Sequence, residues 1–129
     1  MIRKAISVDV QAIHSLINLA AIQGKVLPRS KNEIKEIIDS FFVWVEDGKV
    51  IGCCSLEIYS KKLAEVRSLI VLPRYQNKGI GTKLLKACLD RAKHENVYEL
   101  LAVTERDHLF ETLGFQKCLN NQWPMFIRI

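Results

Sequence analysis

At 129 residues, 49% of them apolar, the chain can bury one core but not two, so a single domain over 1–129 is expected and disorder is argued against. A net charge of +5 points to an anionic partner, yet the lysines and arginines are scattered and mark no nucleic-acid tract. No apolar run is long enough to span a bilayer and the start, MIRKAISVDV, has no signal-peptide pattern, so a cytoplasmic protein with neither membrane nor nucleic-acid partner is expected.

Ile2 to Ile6 alternate apolar and polar and read as a first strand. Asp9 is placed to cap a helix whose apolar stripe is Val10, Ile13, Leu16, Ile17 and Ala20, ended by Gly24. Leu27-Pro28-Arg29 is a short connection. Ser30 with Glu33 three residues on is a capping-box signature for a second helix, with Ile34, Ile37 and Ile38 on its buried side. Two β-rich runs, Phe41 to Glu46 and Lys49 to Tyr59, flank Asp47-Gly48, a strong hairpin signal. A polar turn at Ser60 to Lys62 leads to a further strand, Leu63 to Leu72, ended by Pro73.

A glycine-bearing loop then enters a long amphipathic helix that turns Ile80, Leu84, Leu85, Cys88, Leu89 and Ala92 to one side. Tyr98 to Val103 is another apolar strand, and a strand reached through a crossover helix runs parallel to the one before it. Arg106 to Leu113 reads as a short helix closed by Gly114, and Phe115 to Cys118 and Pro124 to Ile129 as two last strands. The fold class is therefore mixed α/β (α+β), one domain with a central sheet flanked by helices. The four cysteines fall in no CxxC arrangement with histidine partners, so they are read as buried small hydrophobes and no metal is expected.

The chemistry lies between strand and helix, in Gln76, Asn77, Lys78, Gly79, Ile80, Gly81 and Thr82. A helix N-terminus presents unpaired N–H groups and the positive end of its dipole, and Gly79 and Gly81 remove the side chains that would hold a ligand off. Such a nest suits a pyrophosphate. A dinucleotide fingerprint needs a third glycine where Leu84 stands, and a Walker loop needs Gly-Lys-Ser/Thr where Gly81-Thr82-Lys83 stands, so neither applies.

With Val71-Leu72-Pro73 ahead of that loop and Phe110-Glu111-Thr112-Leu113-Gly114-Phe115 behind it, the stretch from Glu65 to Leu85 resembles the acetyl-CoA-binding motif of the GNAT superfamily of N-acetyltransferases. The resemblance implies a GNAT-like sheet whose parallel strand pair splays at the cofactor site. It implies acetyl-CoA as cosubstrate, with pantetheine along Leu69, Ile70 and Val71 and pyrophosphate on Gln76 to Thr82. It makes Glu65 the candidate general base. Many members carry an acidic tyrosine where this chain has Phe110, which leaves the general acid unassigned; His108 nearby is read as a solvated helix residue.

Leu27-Pro28-Arg29-Ser30, Gly52-Cys53-Cys54-Ser55-Leu56 and Ala64-Glu65-Val66-Arg67-Ser68-Leu69 further resemble the acetyltransferase domain of bacterial N-acetylglutamate synthases. That implies a small-molecule amine acceptor, glutamate or a similar amino acid on the way to arginine, whose carboxylate is gripped by Arg29, with Arg67 and Lys62 as weaker choices. A peptide or protein amine, a polyamine, and a non-catalytic CoA-binding sensor are the alternatives. A terminal strand reaching Ile129 would offer an edge for a homodimer.

Overall fold

A computed structural model describes Met1–Ile129. Its centre is a five-stranded sheet in chain order, built from β1 (Ile2–Lys4), β2 (Phe41–Glu46), β3 (Lys49–Ile58), β4 (Leu63–Val71) and β5 (Glu99–Ala102). Neighbours from β1 to β4 are antiparallel, and β5 joins β4 in parallel. The helices are α1 (Val10–Ile22), α2 (Lys31–Glu36), α3 (Ile80–His94) and α4 (Asp107–Glu111). This is the mixed α/β architecture that the pattern of runs implied.

Local chemistry accounts for the joints. Asp47 and Gly48 both adopt left-handed φ values, 48° and 75°, the geometry that lets a two-residue turn match the twist of β2 and β3. Ser30 Oγ accepts from Glu33 N at 3.1 Å and Glu33 Oε1 accepts from Ser30 N at 3.3 Å, so the capping box forms as read. β3 is central and buried from Ile51 to Leu56, because helices cover both faces of the sheet and leave no side to alternate towards water. Gly52 sits where α3 comes closest: a β-carbon there would lie 3.2 Å from Leu84 Cδ1 and 3.3 Å from the Ile70 carbonyl.

The sheet divides the apolar interior into two parts. Ile13, Leu16, Ile17 and Ile34 of α1 and α2 pack with Phe41, Val43, Cys53 and Ile70 on one face. Leu84, Leu85, Cys88 and Ala92 of α3 pack with Ile51, Cys54, Leu56 and Val66 on the other. Full burial of a leucine such as Leu84 contributes roughly 2 kcal/mol. From Ala64 to Arg67 β4 alternates, Ala64 and Val66 turning to α3 while Glu65 and Arg67 turn to the other face.

Asp9 differs from its expected role. Its side chain makes no bond to the α1 amides. It lies buried in the preceding 3₁₀ turn (Ser7–Asp9), accepts from Arg3 at 2.7 and 3.0 Å and from Ile6 N at 2.8 Å, and so ties β1 to the start of α1. The Arg3 guanidinium holds its carboxyl below the usual value. A carboxylate with a lowered folded pKa stabilises above its unfolded value near 3.9, and that contribution is lost as pH falls through the lowered value. Asp9→Asn is therefore expected to cost about 2 kcal/mol at pH 7. Urea unfolding at pH 7 and pH 3 should show the gap from wild type closing at the lower pH.

The C-terminal segment also departs from the sequence reading. Neither Phe115 to Cys118 nor Pro124 to Ile129 forms a strand; a single bridge, Leu119 to Gln122, closes a turn through Asn120 and Asn121. Trp123, Met125, Phe126 and Ile127 are exposed. The aromatic and apolar residues of these two runs gave a strand signal, but no partner edge receives it. No helix is long and apolar enough to cross a membrane.

Candidate active site

β4 pairs with β5 only from Leu63 to Val66, against Glu99 to Ala102. Beyond that point β4 continues beside β3 alone. Ser68 takes a left-handed φ of 54° where the β3–β4 register shifts between Cys53 and Ser55, which is a bulge on β4 that bends the strand away from its neighbour. The Cys53 thiol donates to the Ser68 carbonyl at 3.3 Å and fastens the bulge. Burial pushes that thiol up to about 12, so it remains protonated.

The splay opens a cleft of about 120 Å³, lined on one side by Arg67 to Val71 and on the other by Val103 to Arg106, with Phe110 at one wall. Leu69, Ile70 and Val71, the residues expected to carry a pantetheine arm, all line it. Their backbone edge towards β5 has no strand partner, so it is free to bond an extended ligand. Lys25 and Glu105 also line the cleft and pair across it at 3.3 Å.

At one end of the cleft the chain turns through Pro73–Tyr75 into the loop before α3. The amides from Asn77 to Thr82 make no backbone hydrogen bond, and the first helical bond runs from Lys83 N to the Gly79 carbonyl at 3.1 Å. Asn77 and Gly79 hold left-handed φ values of 62° and 81°, which turns successive N–H groups the same way. Free amides at a helix start form a seat for an anion. Ile80, 5% exposed, anchors the loop in the core. Gln76 does something more specific than expected: its Nε2 donates to the Val71 carbonyl at 2.8 Å, so its side chain pins the loop to the end of β4. Lys78 and Arg74 lie over the Tyr75 ring at 5.7 and 5.4 Å and leave the loop's surroundings positive.

A cluster of charged side chains lies on the face of the sheet that α1 and α2 cover. Arg29, from the connection between those helices, is 8% exposed. Its Nη2 donates to both Glu57 carboxylate oxygens, at 3.0 and 2.9 Å, while its Nη1 is buried without a hydrogen-bond partner. Arg67 Nη1 lies 3.5 Å from Glu57 Oε1, and the Ser55 hydroxyl donates to Glu57 Oε2 at 3.1 Å. Glu65 stands directly across β3–β4 from Glu57. It accepts from the Tyr59 hydroxyl at 2.6 Å and makes no ion pair with Arg67. Burial, and then that bond to Glu65, raise the Tyr59 hydroxyl above its ordinary value, so it stays a donor to the carboxylate.

Arg29, Arg67 and Glu65 were marked by the sequence; Glu57, Ser55 and Tyr59 were not. The signal for the first two was present. In the otherwise apolar run of β3 the polar residues stand two apart, at 55 and 57, and the Asp47-Gly48 hairpin fixes which face they share. Ser68 carried no such signal, since serine is an ordinary strand residue until its backbone turns left-handed. Phe110 packs edge-on to Phe115 with ring centroids 5.1 Å apart and brings no hydroxyl. His108 is exposed.

The Acetyltransferase (GNAT) family matches residues 11–115. An uncharacterized N-acetyltransferase of Chlorobaculum tepidum is 36% identical over 126 residues, covering 98% of this chain and 81% of its own. The amino-acid acetyltransferase of Pasteurella multocida is 34% identical over 117 residues, covering 89% of this chain and 27% of that enzyme. The N-acetylglutamate synthase of Neisseria gonorrhoeae, complexed with coenzyme A and N-acetyl-glutamate, superposes with a TM-score of 0.83 at 31% identity over 90% of this chain and 28% of its own. The present chain thus spans less than a third of either of these last two proteins.

Proposed function

The chain belongs to the GNAT family of acetyltransferases, and on that premise we propose that it moves the acetyl group of acetyl-CoA to the α-amine of a carboxylated amino acid, with glutamate first among acceptors. The observation that carries the acceptor is the buried Arg29, whose Nη2 is held by both Glu57 oxygens while Nη1 is left without a partner. A buried charged donor without a partner costs 1–3 kcal/mol or more, and an acceptor carboxylate would relieve that cost. The names of the Pasteurella and Neisseria relatives support the same choice.

In this reading the pyrophosphate rests on the amides of Asn77 to Thr82, with Lys78 nearby, and pantetheine bonds to the free edge of β4 at Leu69 to Val71. The acetyl group then lies in the splay. An N–H of β4 aimed at the carbonyl oxygen stabilises the charge that develops there. The amine nitrogen attacks the carbonyl carbon, the C–S bond breaks, and CoA leaves as a thiolate. The proton lost by the amine goes to Glu65, directly or through water, while Tyr59 holds one oxygen of that carboxylate. Phe110 supplies no acid, and a thiolate is a good enough leaving group to depart without one.

Two measurements test these assignments. Rates with glutamate, glutamine and the α-amide of glutamate show which carboxylate is gripped: loss of the gripped one should raise KM steeply, and equal rates for all three would refute an arginine grip. Glu65→Gln should lower kcat about 100-fold, most severely at the acidic end where the amine arrives protonated. An unchanged pH–rate profile in that variant removes Glu65 as the base.

A further inference from the structure

Glu57 belongs to no motif and does not line the cleft, yet it is the hub of the acceptor side. On β3 it stands across from Glu65, and its neighbour on the same face, Ser55, stands across from Arg67. Its carboxylate is 14% exposed and is shared by the Arg29 guanidinium, Arg67 Nη1 and the Ser55 hydroxyl. Ser55 Oγ lies equally close to the Arg67 carbonyl, at 3.0 Å, so its single proton is shared between that carbonyl and the carboxylate, which ties Glu57 to the strand that carries the arginine. Two carboxylates facing one another across an antiparallel pair repel. Keeping Glu57 opposite Glu65 is therefore costly unless its charge is needed.

We propose that Glu57 is a positioning residue for the acceptor: its carboxylate holds the buried Arg29 and the cleft-lining Arg67 as two prongs of one receptor for a carboxylate, and so sets the preference for acidic over cationic amines. The proposal rests on the amino-acid reading above. Two guanidiniums brought to one place repel, and a buried one cannot stay unpaired. Glu57 removes both obstacles. It binds Arg29 through Nη2, leaving Nη1 for a ligand, and it draws Arg67 back from the solvent towards the same point. Arg29, Arg67 and Glu57 together carry one net positive charge, and Glu65 opposite Glu57 balances it. The preference for an acid therefore comes from the unpaired Nη1 donor of Arg29, which a carboxylate can pair with and an ammonium cannot. The Arg29 fork is planar and rigid, so its direction is set by whatever occupies its other edge. Glu57 reaches neither the loop at Asn77 to Thr82 nor the free edge of β4, so acetyl-CoA should not register its loss.

The test is a KM-against-kcat split on Glu57→Gln and Glu57→Asp, with thermal melting to confirm folding. Glu57→Gln is expected to raise KM for glutamate about tenfold, to leave KM for acetyl-CoA within about a factor of two, and to narrow the preference for glutamate over a polyamine; Glu57→Asp should recover part of the loss. Ser55→Ala, which removes one bond to Glu57 and keeps its charge, should raise the same KM about twofold to threefold and serves if Glu57→Gln does not fold. An equal rise in both KM values, or no change in the glutamate KM, overturns the proposal alone. If wild-type protein acetylates no carboxylated amino acid, the acceptor reading and this proposal fall together.

Discussion

Gly81→Val is expected to weaken acetyl-CoA binding about 100-fold while the protein stays folded. Gly81 lies in the first turn of α3 with no left-handed strain, and a β-carbon there would meet only Leu109 Cδ2 at 3.9 Å and Val71 Cγ2 at 4.0 Å, ordinary contacts. Helical side chains tilt towards the N-terminus, so the valine methyls project over the free amides of Asn77 to Thr82 and fill the seat where the pyrophosphate would rest. Glycine inside a helix is itself unfavourable by roughly 1 kcal/mol against alanine, which limits any loss of stability. Gly79 is a poorer target. Its φ of 81° makes any side chain strained by roughly 1–2 kcal/mol, and lost binding there could be lost folding. Calorimetric titration of acetyl-CoA beside a thermal melt separates the two. Undiminished affinity in a folded Gly81→Val protein would refute the loop as the pyrophosphate site.

Arg29→Ala should leave acetyl-CoA affinity intact and raise KM for the amino acid about 100-fold, the loss of a charge-assisted pair worth about 3 kcal/mol. The substitution also strips Glu57 of its best partner. Arg67 and Ser55 remain on that carboxylate, so the destabilisation should fall below the 3–5 kcal/mol typical of an isolated buried charge. Arg29→Lys is the sharper variant. It keeps the charge but not the planar fork, and it cannot hold Glu57 on one edge and a ligand on the other. A lysine variant that matches wild type would mean that only charge is read here. Equal losses for acetyl-CoA and the amino acid in Arg29→Ala would mean that the residue supports the fold rather than the acceptor.

The hairpin at Asp47-Gly48, the capping box at Ser30 and Glu33, and the α3 stripe were legible because each rests on contacts close in sequence. The parallel placement of β5 was legible because a crossover helix allows little else. The loop proposed to seat the pyrophosphate was marked by its two glycines, although the use of Gln76 on the Val71 carbonyl depends on where the turn brings its side chain. The acceptor side was half legible. Arg29 was named through its resemblance, but its partner Glu57 lies 28 residues away and is joined to it only by packing of the α1–α2 connection onto β3. The bulge at Ser68 was invisible, since it reflects a register shift between whole strands rather than any preference of serine. The two terminal strands were misjudged for the opposite reason. Local composition favoured them, and a strand also needs an edge that receives it.

The most direct test of acetyl transfer to a carboxylated amino acid is one incubation. Purified protein is mixed with acetyl-CoA carrying a labelled acetyl group, the common amino acids, a polyamine and a short peptide, and products are read by mass spectrometry. The account predicts label on the α-amine of glutamate or a close carboxylated relative, in excess over every cationic amine. Label appearing mainly on the polyamine or the peptide would contradict it.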